Sequence, residues 1–197
     1  MNYPNGKRPV VDKAVSPAGS TSQGYGNRGM TLEEDINATN AFYRSTGRGL
    51  IHKKPTPVQI VNVHYPKRTA AVITEAYFKQ PSTTDYNGVY KGRHIDFEAK
   101  ETKNKTSFPL SNIHEHQIAH MEAVIKQEGI CFMIIRFASL GKTFYFSAES
   151  LLESWAKHLQ GGRKSISYNY IEEAGHLIPF GYQARIDYLS IVDKLYF

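Results

Sequence analysis

Apolar residues recur at helical spacing at Leu32, Ile36 and Tyr43, and Thr31 followed by Glu34 forms a capping-box signature ahead of them. This pattern predicts a helix over about 31–45, ended near Gly47. From Leu50 to Val63 the residues become strand-like, with interruptions at Pro55 and Pro57, and a second such run extends from Ala70 to Lys79. Between the two runs, His64-Tyr65-Pro66-Lys67-Arg68 reads as the tip of a hairpin. Neither arm alternates cleanly between apolar and polar, so an extended, exposed excursion is expected rather than a strand packed on a core.

Lys91-Gly92 predicts a tight turn joining Asn87–Tyr90 to a strand over Arg93–Lys100. After a polar loop, Asn112 and Glu115 are expected to open a helix that runs to about Glu128 and stops at Gly129. Ile130–Phe137 is nearly all apolar, as in a strand covered on both faces. Thr143–Phe146 is another strand, Ser147 begins a helix to about Gln160, and the tail carries a short helix ending at Lys194. The order of elements implies an α/β fold, a mixed β-sheet flanked by helices, and not a regular βαβ array.

Composition adds boundaries. The 197 residues suffice for one domain with a real core, assigned to 30–197 with about 58–79 as an insertion. Residues 1–29 are rich in Gly, Ser, Asn and Pro and carry Lys7, Arg8, Lys13 and Arg28, which reads as a flexible basic arm. The net charge of +6 favours acidic partners, nucleic acid first. A single cysteine, Cys131, lies in the apolar run from Ile130 and excludes a disulfide scaffold or a four-cysteine zinc site. The N-terminal residues lack the apolar core of a signal peptide, and no run reaches the roughly 18 apolar residues of a membrane span. A cytoplasmic protein without membrane partners is expected.

The candidate chemistry lies on the strand from His94. Side chains alternate along a strand, so Ile95, Phe97 and Ala99 face one way while His94, Asp96, Glu98 and Lys100 face the other. Such a polar face is ordinarily solvated. Here, however, Glu98 and Lys100 set a carboxylate beside an ammonium, and a hairpin can bring Asp85 next to Glu98. Two carboxylates then offer oxygen to a hard divalent cation. Gln117 falls on the inward stripe of the following helix with Met121 and Val124, and can add an amide oxygen. Glu101/Lys103 repeats the acidic-x-Lys pattern, but Glu101 faces away from Glu98. Asp96 shares the face of Glu98 one step along, as a supporting residue.

These residues carry a resemblance. Thr83-Thr84-Asp85-Tyr86-Asn87-Gly88 and His94-Ile95-Asp96-Phe97-Glu98-Ala99-Lys100-Glu101-Thr102-Lys103 resemble the RecU family, the Holliday junction resolvases of Gram-positive bacteria. Asn2-Tyr3-Pro4-Asn5-Gly6-Lys7, Asn27-Arg28-Gly29 and His114-Glu115-His116-Gln117 are similar to the same family, so the likeness runs almost the full chain. It implies a restriction-endonuclease-like core of the PD-(D/E)xK superfamily with a projecting β-hairpin stalk. The signature departs at its first element, since Asp85 follows Thr84 and not proline. Transferred by position, the resemblance implies a Mg²⁺ site of Thr83, Asp85, Glu98 and Gln117, for one or two ions with Mn²⁺ as a substitute. Lys100 becomes the transition-state stabiliser. The resemblance also implies a homodimer that nicks opposed strands of a four-way junction in recombination, repair and chromosome segregation. RecA and a branch-migration helicase would be its partners.

On or near the stalk, Lys53, Lys54, Lys67, Arg68 and Lys79 are placed to contact phosphates, which give affinity without base information. Tyr65 and Tyr77 are candidates to stack on unpaired bases, and Arg28 to touch DNA. His114, His116 and His120 have partial metal spacing, but Ile118 stands where a zinc hydrolase would need its second histidine. Glu33 and Glu34 of the first helix are further acids near the site, with Glu34 committed to capping. Two other classes stay open: a non-catalytic DNA-binding recombination accessory protein and a sequence-specific restriction-type endonuclease.

Overall fold

A computed structural model describes residues 30–67, 69–79 and 83–197. The expected arm at 1–29 and the candidate DNA contacts Arg28 and Arg68 lie outside the described residues.

Helix α1 spans Leu32–Ser45 behind the expected capping box, with the Glu34 amide donating to Thr31 and the Thr31 amide donating to the Glu34 carboxylate. Its Leu32, Ile36 and Tyr43 are buried. Strand β1 follows at Leu50–Lys53, then β2 (Val58–His64) and β3 (Val72–Phe78), which pair with each other as a separate two-stranded sheet. The hairpin is exposed along almost its whole length, including Ile60, Val72, Tyr77 and Phe78. At seven residues per strand, it extends about 23 Å. The prolines before β2 and a bulged register within the hairpin account for the missing alternation.

Strand β4 (Tyr86–Tyr90) turns through Lys91 and Gly92 into β5 (Arg93–Thr102). Both turn residues have positive φ, 46° and 79°, the backbone of the hairpin turn that matches strand twist. Short β6 (Ser107–Pro109) leads to α2 (Glu115–Lys126), β7 (Ile130–Phe137), β8 (Lys142–Ser147) and α3 (Ala148–Leu159). The chain closes with β9 (Ser165–Ser167), α4 (Tyr168–Ala174), β10 (His176–Ile178) and α5 (Leu189–Tyr196). The opening of α2 differs from expectation. Asn112 ends a separate short 3₁₀ turn, and the helix begins after His114, whose amide donates to Gln117 Oε1 at 3.0 Å.

Six strands form the main sheet in the order β1-β4-β5-β7-β8-β10, with β5 and β7 parallel and the other neighbours antiparallel. Helix α2 makes the crossover that the parallel pair requires. Gly88 is obligatory at the β1–β4 pairing, because a Cβ there would run into the Leu50 carbonyl. On one face Ile130, Phe132 and Ile134 pack with α1 and α5; on the other Cys131, Met133 and Ile135 pack with α2, α3 and α4. The result is the mixed α/β sandwich expected from the order of elements. Across the first face Tyr86, Phe97, Phe132 and Tyr145 stack in sequence at 4.8, 4.8 and 4.4 Å. This stack locks the register of β5, the strand that carries the acids. Among the described residues, no helix is long and apolar enough to cross a membrane.

Candidate active site

Strand alternation sends Phe97 into the aromatic stack and turns Asp96, Glu98 and Lys100 toward the face covered by α2 and α3. That face is not solvated at these positions: Asp96 is 1% exposed and Glu98 0%. An unpaired charge is costly there, so each acid must have a counter-charge, a donor or a proton.

Asp85 immediately precedes β4, whose Tyr86 pairs with Phe97, so Asp85 stands beside Glu98. Its backbone amide donates to Glu98 Oε2 at 3.0 Å. Lys100 Nζ lies 2.7 Å from Glu98 Oε1. Among the described residues the Lys100 ammonium is the one polar partner of the buried Oε1. Burial pushes the Glu98 carboxyl up to about 7; the Lys100 ammonium opposes the rise and the Asp85 carboxylate adds to it. The Asp85–Glu98–Lys100 arrangement deduced from the strand pattern is therefore assembled.

A carboxyl raised in this way stabilises the ion-free fold when protonated. The penalty for its charge is absent below about pH 4.5 and complete above about pH 7. Glu98→Gln removes this penalty and is expected to stabilise the chelator-treated protein at pH 8 by on the order of 2 kcal/mol, seen as a higher melting temperature, with little gain at pH 5. Parallel wild-type and variant melting curves from pH 5 to 8 would show that the carboxyl is not strained.

The other expected ligands are more loosely placed. Gln117 is buried on α2, but its carbonyl oxygen accepts the His114 amide. The Thr83 hydroxyl donates to the Thr84 carbonyl at 3.4 Å. Neither hydrogen-bonds to Asp85 or Glu98 among the described residues. Asp85 also lines a cleft of about 240 Å³ with Glu33 and Glu101, and Glu33 is paired with Lys53 at 2.5 Å. Among the described residues no three His, Cys, Asp or Glu side chains gather as a metal cluster, the three α2-region histidines included.

Residues 27–194 match the family described as RecU, Recombination protein U. A protein of Oceanobacillus iheyensis named Holliday junction resolvase RecU is 64% identical over 197 residues, covering 100% of both chains. The Bacillus subtilis protein of the same name is 57% identical over 199 residues, covering 100% of this chain and 96% of its own. A Geobacillus relative of that name is 60% identical over 200 residues, covering 100% of this chain and 98% of its own.

The chain belongs to the RecU family.

In this RecU-family fold the stalk residues divide by environment. Lys67 and Lys79 are exposed on the hairpin, as is Tyr77, whose hydroxyl donates to Glu75. Lys54 turns inward instead, donating to Asp96 at 3.0 Å and to the Thr84 hydroxyl at 3.1 Å. The phosphate contact expected of Lys54 is thus replaced by an ion pair with the buried Asp96 carboxylate. Asp96 also receives the Thr84 hydroxyl and has His94 and His120 at 3.5 and 3.2 Å. The sequence signalled only that Asp96 shares a face with Glu98. Its partners come from three other segments, so no spacing rule could reveal them.

Proposed function

We propose that this protein is a structure-selective endonuclease that resolves four-way DNA junctions by Mg²⁺-dependent phosphodiester hydrolysis, in recombination, repair and chromosome segregation. One observation carries the reading. A fully buried carboxylate, Glu98, is held by one lysine ammonium and one backbone amide, with a second acid adjoining it. The names of the relatives support the junction as substrate.

The donor set fits a hard divalent cation. Asp85 and Glu98 would hold it through oxygen, with Thr83 and Gln117 as neutral oxygen donors, and Mg²⁺ ordinarily takes few protein ligands. When bound, the ion supplies Lewis-acid charge to the scissile phosphate and to water. The chain's own residues do the rest. Burial of Glu98 creates a strong demand for positive charge at this spot. Lys100, 26% exposed at its side chain, meets that demand in the free protein and can offer its ammonium to a phosphate that docks beside it. There it would stabilise the negative charge that develops on the phosphate oxygens. Exposed Lys67 and Lys79 on the hairpin add sequence-independent phosphate contacts, so that junction shape selects the substrate. A homodimer would present two such sites to opposed strands, with RecA and a branch-migration helicase as working partners.

The decisive experiment incubates purified protein with a synthetic four-way junction and with linear duplex, under Mg²⁺ or chelator. Symmetric nicking of the junction with Mg²⁺ alone is expected. Junction binding without nicking would favour an accessory protein, and cleavage of duplex at one sequence a restriction-type enzyme. Lys100→Ala is expected to lower the single-turnover rate about 10²- to 10³-fold while leaving the Mg²⁺ concentration dependence nearly unchanged. An unaltered rate would remove the lysine from the mechanism.

A further inference from the structure

The hairpin β2–β3 leaves the body after Lys54 and returns to it at Thr83-Thr84. Both roots converge on one buried side chain. Lys54 Nζ donates to Asp96 Oδ2 at 3.0 Å, and the Thr84 hydroxyl donates to Asp96 Oδ1. The roots also hold each other, through Lys54 Nζ to the Thr84 hydroxyl at 3.1 Å and the Lys54 amide to the Asp85 carbonyl at 2.8 Å. His94 Nε2 lies 3.5 Å from Oδ2, and His120 Nε2 of α2 lies 3.2 Å from Oδ1. Asp96 therefore joins the outgoing root, the returning root, β5 and α2.

The consequence for the site is geometric. Asp85 is the residue after Thr84, and its amide reaches Glu98 only if the returning root is held against β5. The anchor lies deep: Asp96 is 1% exposed and Thr84 2%, whereas Asp85 itself is only partly buried. A proline before Asp85, as in the superfamily signature, has no hydroxyl to donate; Thr84 does.

We propose that Asp96 is a positioning residue that clamps both hairpin roots to β5 and thereby sets Asp85 against Glu98, coupling the hairpin to the metal-holding pair. This inference rests on the reading of Asp85 and Glu98 as that pair. Removing the clamp lets the returning root drift, so the two acids no longer present oxygens to one ion. The hairpin's own exposed lysines are untouched.

The test uses Mn²⁺ binding to the full-length protein, followed by electron paramagnetic resonance, beside junction affinity in Ca²⁺ and single-turnover nicking in Mg²⁺. Three variants are compared: Asp96→Asn, Thr84→Val, and the double change Asp96→Leu with Lys54→Met. Thr84→Val deletes only the hydroxyl and is expected to fold. The double change replaces a buried ion pair by apolar groups of similar volume, which tends to preserve stability. A loss of about 10- to 100-fold in Mn²⁺ affinity and in nicking rate is expected in all three, with junction affinity within a factor of two to three of wild type. A purely structural role predicts instead that the stable double variant recovers wild-type Mn²⁺ affinity, and that result would overturn the proposal. So would Thr84→Val matching the wild type in both ion binding and rate. A wild type that binds no Mn²⁺ would overturn the site reading itself, whereas variants equal to an ion-binding wild type overturn this inference alone.

Discussion

Asp85→Ala and Glu98→Gln are each expected to abolish junction nicking, with losses of about a thousandfold or more, while junction binding persists. Each change removes a charge from the adjoining acids Asp85 and Glu98. Loss of a single preorganised donor in other enzymes costs about 10²- to 10³-fold, and a lost ion ligand removes more than one such contribution. Glu98→Gln is the sharper test. It keeps the shape of a side chain that is 0% exposed, and it retains an oxygen able to accept the Asp85 amide at its present 3.0 Å. What it cannot retain is negative charge. The glutamine protein should therefore fold, bind junctions in gel shift and fail to nick at any practical Mg²⁺ concentration. Nicking by either variant within tenfold of wild type would falsify the assignment of the acids.

Asp35→Ala is expected to cause the largest loss of stability, about 3 kcal/mol. Asp35 sits in the first turn of α1, is 4% exposed, and receives Arg136 at 2.6 Å and Arg185 at 3.1 Å. Removing one carboxylate leaves two guanidinium groups without their shared counter-charge, and breaking a buried pair this way typically costs about 3–5 kcal/mol. The arginines are 13% and 27% exposed at their side chains, so part of the penalty is relieved by water and the low end applies. A loss of that size lowers the melting temperature by roughly 6–12 °C in a domain of this length. Denaturant unfolding of the variant measures it; a change below about 1 kcal/mol would mean that the arginines' remaining partners suffice, Glu101 at 3.9 Å from Arg136 among them.

Legibility from the chain varied with the range of the interactions involved. The capping box of α1, the Lys91-Gly92 turn, the apolar run of β7 and the Ser147 cap of α3 were all readable. So was the proximity of Asp85 to Glu98, because hairpin register follows from turn type and strand period. The short β6–β9 pair, α4 and β10 were not anticipated. They are three to seven residues long and held by contacts with distant segments, too short to establish a period. The α2 opening lies two residues later than the Asn112/Glu115 pair predicts, because His114 and Gln117 repeat the same spacing.

Short-range chemistry in the chain thus sufficed for the mixed α/β class, the exposed hairpin and the acidic strand with its lysine. Each of these depends on steric and hydrogen-bonding preferences acting within about a dozen residues. Only the tertiary structure decided that the polar face of β5 is buried, that Glu98 is enclosed against Lys100, and that Lys54 points to Asp96 and not to solvent. Burial and its electrostatic price depend on what α2, α3 and the hairpin roots place over that face, and those neighbours come from 12 to about 60 residues away in the chain. Charge in water is cheap wherever it lies along a sequence, and it becomes specific chemistry only once packing has excluded the water.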